Sequence, residues 1–543
     1  MTSLNFKGKS AVWNHHLSVP FHTLDEDKKL SFKGDNADEN LIIEGDNLLA
    51  LKALLPKYQG KVKCIYIDPP YNTGNEGWVY NDKMNAPQIK DWYNTTVGKE
   101  GEDLTRHDKW LCMMTPRLKL LRELLTTDGV IFVSADDNEQ HHLRQVMNEI
   151  FGESNFITNL IWQKKYSPQN DAKYFSDMHD FILVYAKLKN NANESSGWVR
   201  NLITRTDEQN ARYKNPDNDP RGPWKSGDFS VKSYSKAYDY SITTPSGRVV
   251  NPPNGRSWST SPSNFEEMKK DNRIWFGLDG SNVPATKIFL SEVQDGTVPL
   301  TIWLRTEVGD NELAKKEIKD LFAEVALPFD TPKPTTLIRK ILSLATDKDS
   351  IVLDSFAGSG TTAHAVMAQN KEDGGNRKFI LVEMEEYANS ITAERVRRVV
   401  KRDEYKAGFT YYKLGLAIDA ETMLAGELPT YENFAKYVYY LATGKDHPDA
   451  KAINPKTYLV GKTERESIYL VYEQDMDKLK SLAITLKWAQ DTQAKDKGKK
   501  IVYAPACYLD EESLDQFNIQ FVSIPYNLFE RNDLWCSRTT NRL

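Results

Sequence analysis

Cysteine is scarce: Cys64, Cys112, Cys507 and Cys536 are the four in 543 residues, far apart and without a CxxC pair. That argues against a disulfide framework or a structural zinc site and fits a reducing cytoplasm. No run approaches the roughly 18–20 uninterrupted apolar residues of a membrane helix. The first twenty residues hold no apolar core of signal-peptide length, so neither a membrane anchor nor export is expected. A cationic excess is missing too. Lysine plus arginine number 71 against 76 aspartate plus glutamate, a net charge of −5. This excludes a polycation that holds nucleic acid by bulk charge, and any such binding must come from a local patch. The signature GxxxxGK[ST] is absent, which excludes a P-loop. With 40% apolar and 27% charged residues, the chain reads as globular, with roughly three to five folding units.

Two regular blocks are present. In residues 41–162, LIIEGDNLLALKALL places Asp46 and Asn47 as capping residues before leucines at helical spacing. VKCIYID (62–68) is a short β-forming run stopped by Pro69 and Pro70. WLCMMTPRLKLLRELL (110–125) predicts a helix, and Asp128-Gly129 a turn into the strand VIFVSAD (130–136). Residues 164–325 are irregular apart from the strand FILVYAK (181–187), and alternation resumes at 329–346, 351–370 and 378–385. Such alternation predicts a doubly wound, Rossmann-like α/β sheet shared by two chain segments. The expected divisions are 1–163 and 326–413 for the two parts of that domain, 164–325 for an insertion, and 414–543 for a C-terminal α/β extension.

Two motifs carry chemistry. Asp68-Pro69-Pro70-Tyr71 lies at the carboxyl end of a predicted strand, where open α/β sheets place their ligands. The prolines fix an extended turn without N–H donors and are expected to leave carbonyls free to face a ligand. Asp68 offers acceptor oxygens for an exocyclic amino group and Tyr71 a ring for stacking, which suits a flipped base. In the second motif Asp354 ends a strand, Phe356-Ala357-Gly358-Ser359-Gly360 turns, and Thr361 starts a helix. Glycines there permit close approach of a ligand to the backbone. Glu383 ends the next strand, 23 residues after Gly360, where a carboxylate can accept from a ribose diol. The pattern suits a nucleoside cofactor, either a dinucleotide or S-adenosylmethionine.

IYIDPPYNTG followed by LDSFAGSGTT resembles the amino-methyltransferases of DNA adenine, in the β order with DPPY before FxGxG. IEGDNLLALKAL, MMTPRLKLLRELL, GVIFVSADDNE, EIFGESNFI, FDTPKPTTLI and FAGSGTTAHAV further resemble the modification (Mod) subunits of type III restriction–modification systems. The resemblance implies S-adenosyl-L-methionine as cofactor and Asp68, Pro69, Pro70 and Tyr71 as the catalytic tetrapeptide. It implies that Phe356, Ala357, Gly358, Gly360 and Thr361 form the cofactor pocket, with Asp354 orienting the loop and Glu383 binding the ribose. Lys333 and Pro334 would flank the methionine part, and Asp46 the adenine of the cofactor. It also implies double-stranded DNA as substrate, a Mod homodimer, and a separate restriction (Res) helicase–nuclease as partner.

In this reading Asp68 and the Pro69 carbonyl accept hydrogen bonds from adenine N6 and favour the pyramidal nitrogen that attacks. No metal is expected. His15-His16 and His141-His142 read as ordinary residues, and His364 as a packing residue. Between 198 and 258 lie eight Trp, Tyr or Phe, and ten Lys or Arg against six acids. That suits a DNA-reading surface, although more than half of the rings are expected to form the region's own core. ERVRRVVKR (394–402) is expected to show a solvated basic face. The rival readings are a solitary adenine methylase, a specificity and assembly subunit for the helicase–nuclease, and a cytosine-N4 enzyme, where Ser commonly replaces the Asp of the tetrapeptide.

Overall fold

Val62–Ile67 has five of six residues buried, the signature of a strand covered on both faces. Its neighbours are built the same way. In the computed structural model, which describes residues 3–73, 105–168, 170, 172–190, 196–326 and 328–524, ten strands form one sheet. In chain order they are β1 Phe21–Glu26, β2 Leu41–Glu44, β3 Val62–Ile67, β4 Leu125–Ala135 and β5 Phe156–Gln163. The series continues with β6 His179–Ala186, β7 Ile302–Trp303, β8 Ile351–Asp354, β9 Lys378–Glu383 and β10 Thr410–Ile418. The spatial order is β1-β10-β2-β9-β8-β3-β4-β6-β5-β7. From β10 to β4 every neighbour is parallel. β1 and β6 join antiparallel at the two flanks. The doubly wound α/β sheet expected from the alternation is therefore present, extended by antiparallel strands.

One expected element differs. Asp128-Gly129 does not turn the chain between a helix and a strand, because β4 already begins at Leu125. Its pairing with β3 steps from Val62↔Leu125 to Cys64↔Val130, so residues 126–129 form a bulge inside the strand. Asp128 in that bulge is held by the Lys63 ammonium on β3.

Helices cover the sheet: α1 Asn47–Tyr58, α2 Arg106–Leu124, α3 Gln140–Phe151, α4 Asn311–Leu321, α5 Thr335–Ala345, α6 Thr361–Asp373 and α7 Glu394–Arg402. Asp46 caps α1 by accepting from the Leu48 N–H at 2.7 Å. Thr105 and Asp108 close a capping box on α2. Leu51, Leu55, Ile65, Leu118, Leu353 and Ile380 meet in one buried cluster. Residues from both chain segments thus share a core.

The winding sets the position of the site. From β8 the chain passes through α6 to β9, on one side; from β3 it passes through α2 to β4, on the other. β8 and β3 are neighbours, so their connections leave in opposite directions and open a crevice at their carboxyl ends.

Residues 1–201 and 301–543 form one compact unit, and Leu202–Leu300 a second. In the first, α8 (Tyr431–Thr443) places Phe434, Tyr437 and Val438 in the same buried cluster as Phe21 and Ile43. It leads to a four-stranded sheet of β11 Leu459–Lys462, β12 Glu466–Leu470, β13 Lys499–Ala504 and β14 Ile519–Ser523. The second unit has short antiparallel pairings around Phe229, Ile242, Trp258, Phe265, Ile274 and Phe276. Of the eight aromatics singled out between 198 and 258, Trp198, Trp224, Phe229 and Trp258 are buried, whereas Tyr234 and Tyr238 are exposed. No helix among the described residues is long and apolar enough to cross a membrane.

Candidate active site

β3 ends at Ile67, and Asp68-Pro69-Pro70-Tyr71 follows directly into the crevice beside β8. There the four residues line a cavity of about 380 Å³ together with Lys333, Phe356 and Glu383. Lys333 comes from the segment before α5 and its ammonium pairs with Oδ2 of Asp68, both side chains being largely buried. Among the described residues, no donor comes within hydrogen-bond geometry of the buried Oδ1 of Asp68. The Lys333 ammonium also lies 5.2 Å from the centroid of the Tyr71 ring. Burial first, and then the Asp68 charge, push the Tyr71 phenol well above its usual range.

The tetrapeptide is fixed from behind. The Trp110 indole N–H donates to the Pro70 carbonyl at 2.6 Å. The expectation of free carbonyls therefore fails at Pro70, because α2 supplies a donor to it. Asn72 adopts a left-handed backbone (φ 57°), and its amide donates to the Arg106 carbonyl and to Oε1 of Glu139. Glu139 is completely buried and also accepts from Nδ1 of His107 at 2.7 Å and Nδ1 of His142 at 2.9 Å. His142, expected to be an ordinary residue, thus belongs to the network behind the tetrapeptide.

The glycine loop is organised by carboxylates. Asp354 accepts from the Phe356 N–H at 3.1 Å and the Thr362 hydroxyl at 2.6 Å. Glu383 accepts from the Gly358 N–H at 2.7 Å and the Glu385 N–H at 3.1 Å. Burial pushes both carboxyls up to about 7. Gly360 caps α6 at φ 77°, and a Cβ there would stand 2.8 Å from the Thr392 carbonyl oxygen. Its glycine is required by backbone packing. Ala357, Gly358, Gly360 and Thr361 shape the turn without lining the cavity, and Asp354, Pro334 and Asp46 also lie outside the lining. Asp46 is engaged by Arg117 Nη2 at 2.9 Å.

Several lining residues had no signal of their own in the sequence. Asn47 and Arg117 enter from α1 and α2, Lys164 and Asp177 from the connection between β5 and β6, and Asp180 from β6 itself. Helix α7 leaves Lys401 and Arg402 exposed, as expected of a solvated face, but one of its arginines departs from it. Arg395 is fully buried, and its Nη1 donates to Ser359 Oγ at 3.0 Å and to Thr361 Oγ1 at 2.8 Å. Nη2 donates to Thr335 Oγ1 at 3.2 Å, so one guanidinium clamps the glycine loop to the start of α5. His364 packs against this clamp, and burial lowers its imidazole to about 3.

Residues 62–394 match the DNA methylase family. The chain is 39% identical over 384 residues to the StyLTI Mod subunit of a type III restriction–modification enzyme from Salmonella typhimurium, covering 69% of this chain and 55% of that one. It is 34% identical over 452 residues to the EcoPI Mod subunit of Escherichia phage P1, covering 74% and 68%. To the EcoP15I Mod subunit of Escherichia coli it is 31% identical over 470 residues, covering 76% and 71%. The chain belongs to the Mod branch of the DNA methylases. It spans little more than half of the StyLTI subunit. The 62–394 match contains both the Asp68 turn and the Glu383 carboxylate, and it also contains the whole of Leu202–Leu300.

Proposed function

We propose that this chain transfers a methyl group from S-adenosyl-L-methionine to N6 of adenine in double-stranded DNA, as the modification and specificity subunit of a type III restriction–modification system. The observation that carries the reading is Oδ1 of Asp68, a buried acceptor without a donor among the described residues, in a cavity at the β8–β3 crevice. An exocyclic amino group is the donor it lacks.

The cavity also fits the cofactor chemically. Its lining carries six carboxylates (Asp68, Asp136, Asp177, Asp180, Glu383, Glu385) against four cations (Arg117, Lys164, Lys165, Lys333). That excess favours a ligand bearing a sulfonium and an ammonium. The Tyr71 hydroxyl and Ser355 Oγ are further buried polar atoms of the lining without a hydrogen-bond partner among the described residues. Glu383 would hold the ribose hydroxyls, and Phe356 and Asn47 would border the same molecule. When bound, S-adenosyl-L-methionine supplies an electrophilic methyl group.

The chain's own residues do the rest. Lys333 pairs with Oδ2 and orients the Asp68 carboxylate, so Oδ1 is left to accept from N6. With the Pro69 carbonyl as second acceptor, the nitrogen lone pair is drawn out of conjugation with the ring. Tyr71 offers the face not taken by Lys333 to the base. Alignment and fixed charge supply the rate enhancement.

We read Leu202–Leu300 as the target-reading part of the expected insertion, supported by the exposure of Arg212, Lys214, Lys225, Lys232, Lys236 and Arg248 and of Tyr234 and Tyr238 within it. The region after 414 is read as the surface for a second Mod copy and for a Res helicase–nuclease. Long-read sequencing of DNA from cells expressing this gene alone tests the activity. N6-methyladenine at one motif is expected; unmodified DNA or N4-methylcytosine overturns the assignment.

A further inference from the structure

Three large aromatic side chains stand in solvent on the connection between β5 and β6: Tyr166 is 64% exposed, Tyr174 81% and Phe175 95%. Such rings are seldom left uncovered without a partner. The base of this connection is pinned. The Lys164 N–H donates to the Met178 carbonyl at 3.0 Å, and the Asn311 N–H to the Lys164 carbonyl at 3.0 Å. The Lys164 ammonium, only 12% exposed, reaches Asp177 at 2.8 Å and Asp180 at 2.6 Å. Lys164, Lys165 and Asp177 belong to the lining of the Asp68 cavity. Phe175 is two residues from Asp177, so the exposed rings spring from the wall of the candidate active site.

Extracting a base from a duplex leaves a gap in the stack and an unpaired partner base. Proteins that deform DNA fill such gaps with apolar wedges, and bases stack on aromatic rings whatever their identity. Tyr174 has Lys173 within 5.3 Å of its centroid, and Tyr166 has Arg305 within 4.1 Å. Both rings therefore carry a cation, which suits the phosphates flanking a stacked base. We infer that Phe175 is a wedge that enters the duplex beside the extruded adenine, with Tyr174 and Tyr166 bracing the adjoining backbone. The occupant of this aromatic surface is thus double-stranded DNA at the target base pair, a reading that rests on the proposed methylation of DNA.

The test compares Phe175→Ala with Phe175→Trp and wild type in single-turnover methylation. The substrates are a duplex carrying the mapped motif and the same duplex with a mismatch opposite the target adenine, which makes extrusion easier. For Phe175→Ala the rate on the paired duplex is expected to fall about tenfold or more. The mismatch should restore most of that loss, while S-adenosyl-L-methionine affinity stays at the wild-type value and Phe175→Trp stays active. A wild-type rate for Phe175→Ala on the paired duplex overturns the wedge and leaves the methylase reading standing. A loss that persists undiminished on the mismatch does the same. Wild type that methylates neither duplex overturns both.

Discussion

Lys333 and Asp68, 265 residues apart in the chain, form an ion pair that joins the two segments of the catalytic sheet. The pair occupies Oδ2 and leaves Oδ1 without a donor among the described residues. Its two members should behave differently on substitution. Asp68→Ala removes the acceptor and is expected to abolish methyl transfer while cofactor affinity, measured calorimetrically, stays within a few-fold of wild type. Lys333→Met leaves the carboxylate but not its orientation, so turnover should fall by about 10²-fold. An Asp68→Ala enzyme with near-normal turnover would contradict the mechanism.

Behind the tetrapeptide, Glu139 gathers Asn72, His107 and His142 onto one buried carboxylate. Glu139→Ala strands three donors and frees Asn72 from the amide contact that accompanies its left-handed backbone. The expected cost is about 2–4 kcal/mol of stability, with a drop in turnover and little change in cofactor affinity. Glu139→Gln keeps one acceptor and should fall between. Chemical denaturation and single-turnover rates on the three proteins check this; equal turnover for all three would dissociate the network from catalysis.

Burial raises Asp354 to about 7, far above an exposed aspartate. Between the ordinary carboxylate range and pH 7 the folded chain keeps a proton that the unfolded chain has released. The stability tied to this group is therefore complete at low pH and is lost as pH rises through 7. Asp354→Asn removes the titration. Its stability relative to wild type should rise with pH between 5 and 7, by at most about 1.4 kcal/mol per pH unit. A gap between the two proteins that stays constant with pH, in thermal or urea unfolding, rules the effect out.

Much of this was legible in the chain. Residues 62–67 and 351–354 are apolar runs ended by an acid or a proline, and period and composition suffice to place such strands. Glu383 was legible because it ends the next strand after the glycine turn. The bulge at 126–129 was not, because it exists only through the pairing of β4 with β3. Arg395 looked like one more charge on a basic helix; its burial depends on Ser359, Thr361 and Thr335, which are distant in sequence. Lys164 and Asp180 are single charges in a stretch without periodicity. Only the fold of β5 against β6 brings them to the cavity.

The Arg395 clamp gives a test of how the glycine loop is held. Its guanidinium is drawn down to about 10, by burial above all, yet it makes hydrogen bonds to three hydroxyls. Arg395→Met should cost about 2–4 kcal/mol and weaken S-adenosyl-L-methionine binding by tenfold or more. DNA affinity should change little. If cofactor affinity were preserved while stability fell, the clamp would serve the core alone.

Leu202–Leu300 is the unit proposed to read the target sequence. This unit has its own core around Phe229, Trp258 and Phe265, and a buried Lys287 paired with Asp217 and Asp219. With its packing internal, it should survive transfer between related chains. Replacing residues 202–300 with the corresponding segment of another Mod subunit is expected to change the methylated motif to that of the donor. Substituting Lys232, Lys236 and Arg248 by Gln should instead weaken DNA binding on all sequences alike and flatten its salt dependence by up to about three phosphate contacts. Methylation of the original motif by the chimaera would place recognition elsewhere in the chain.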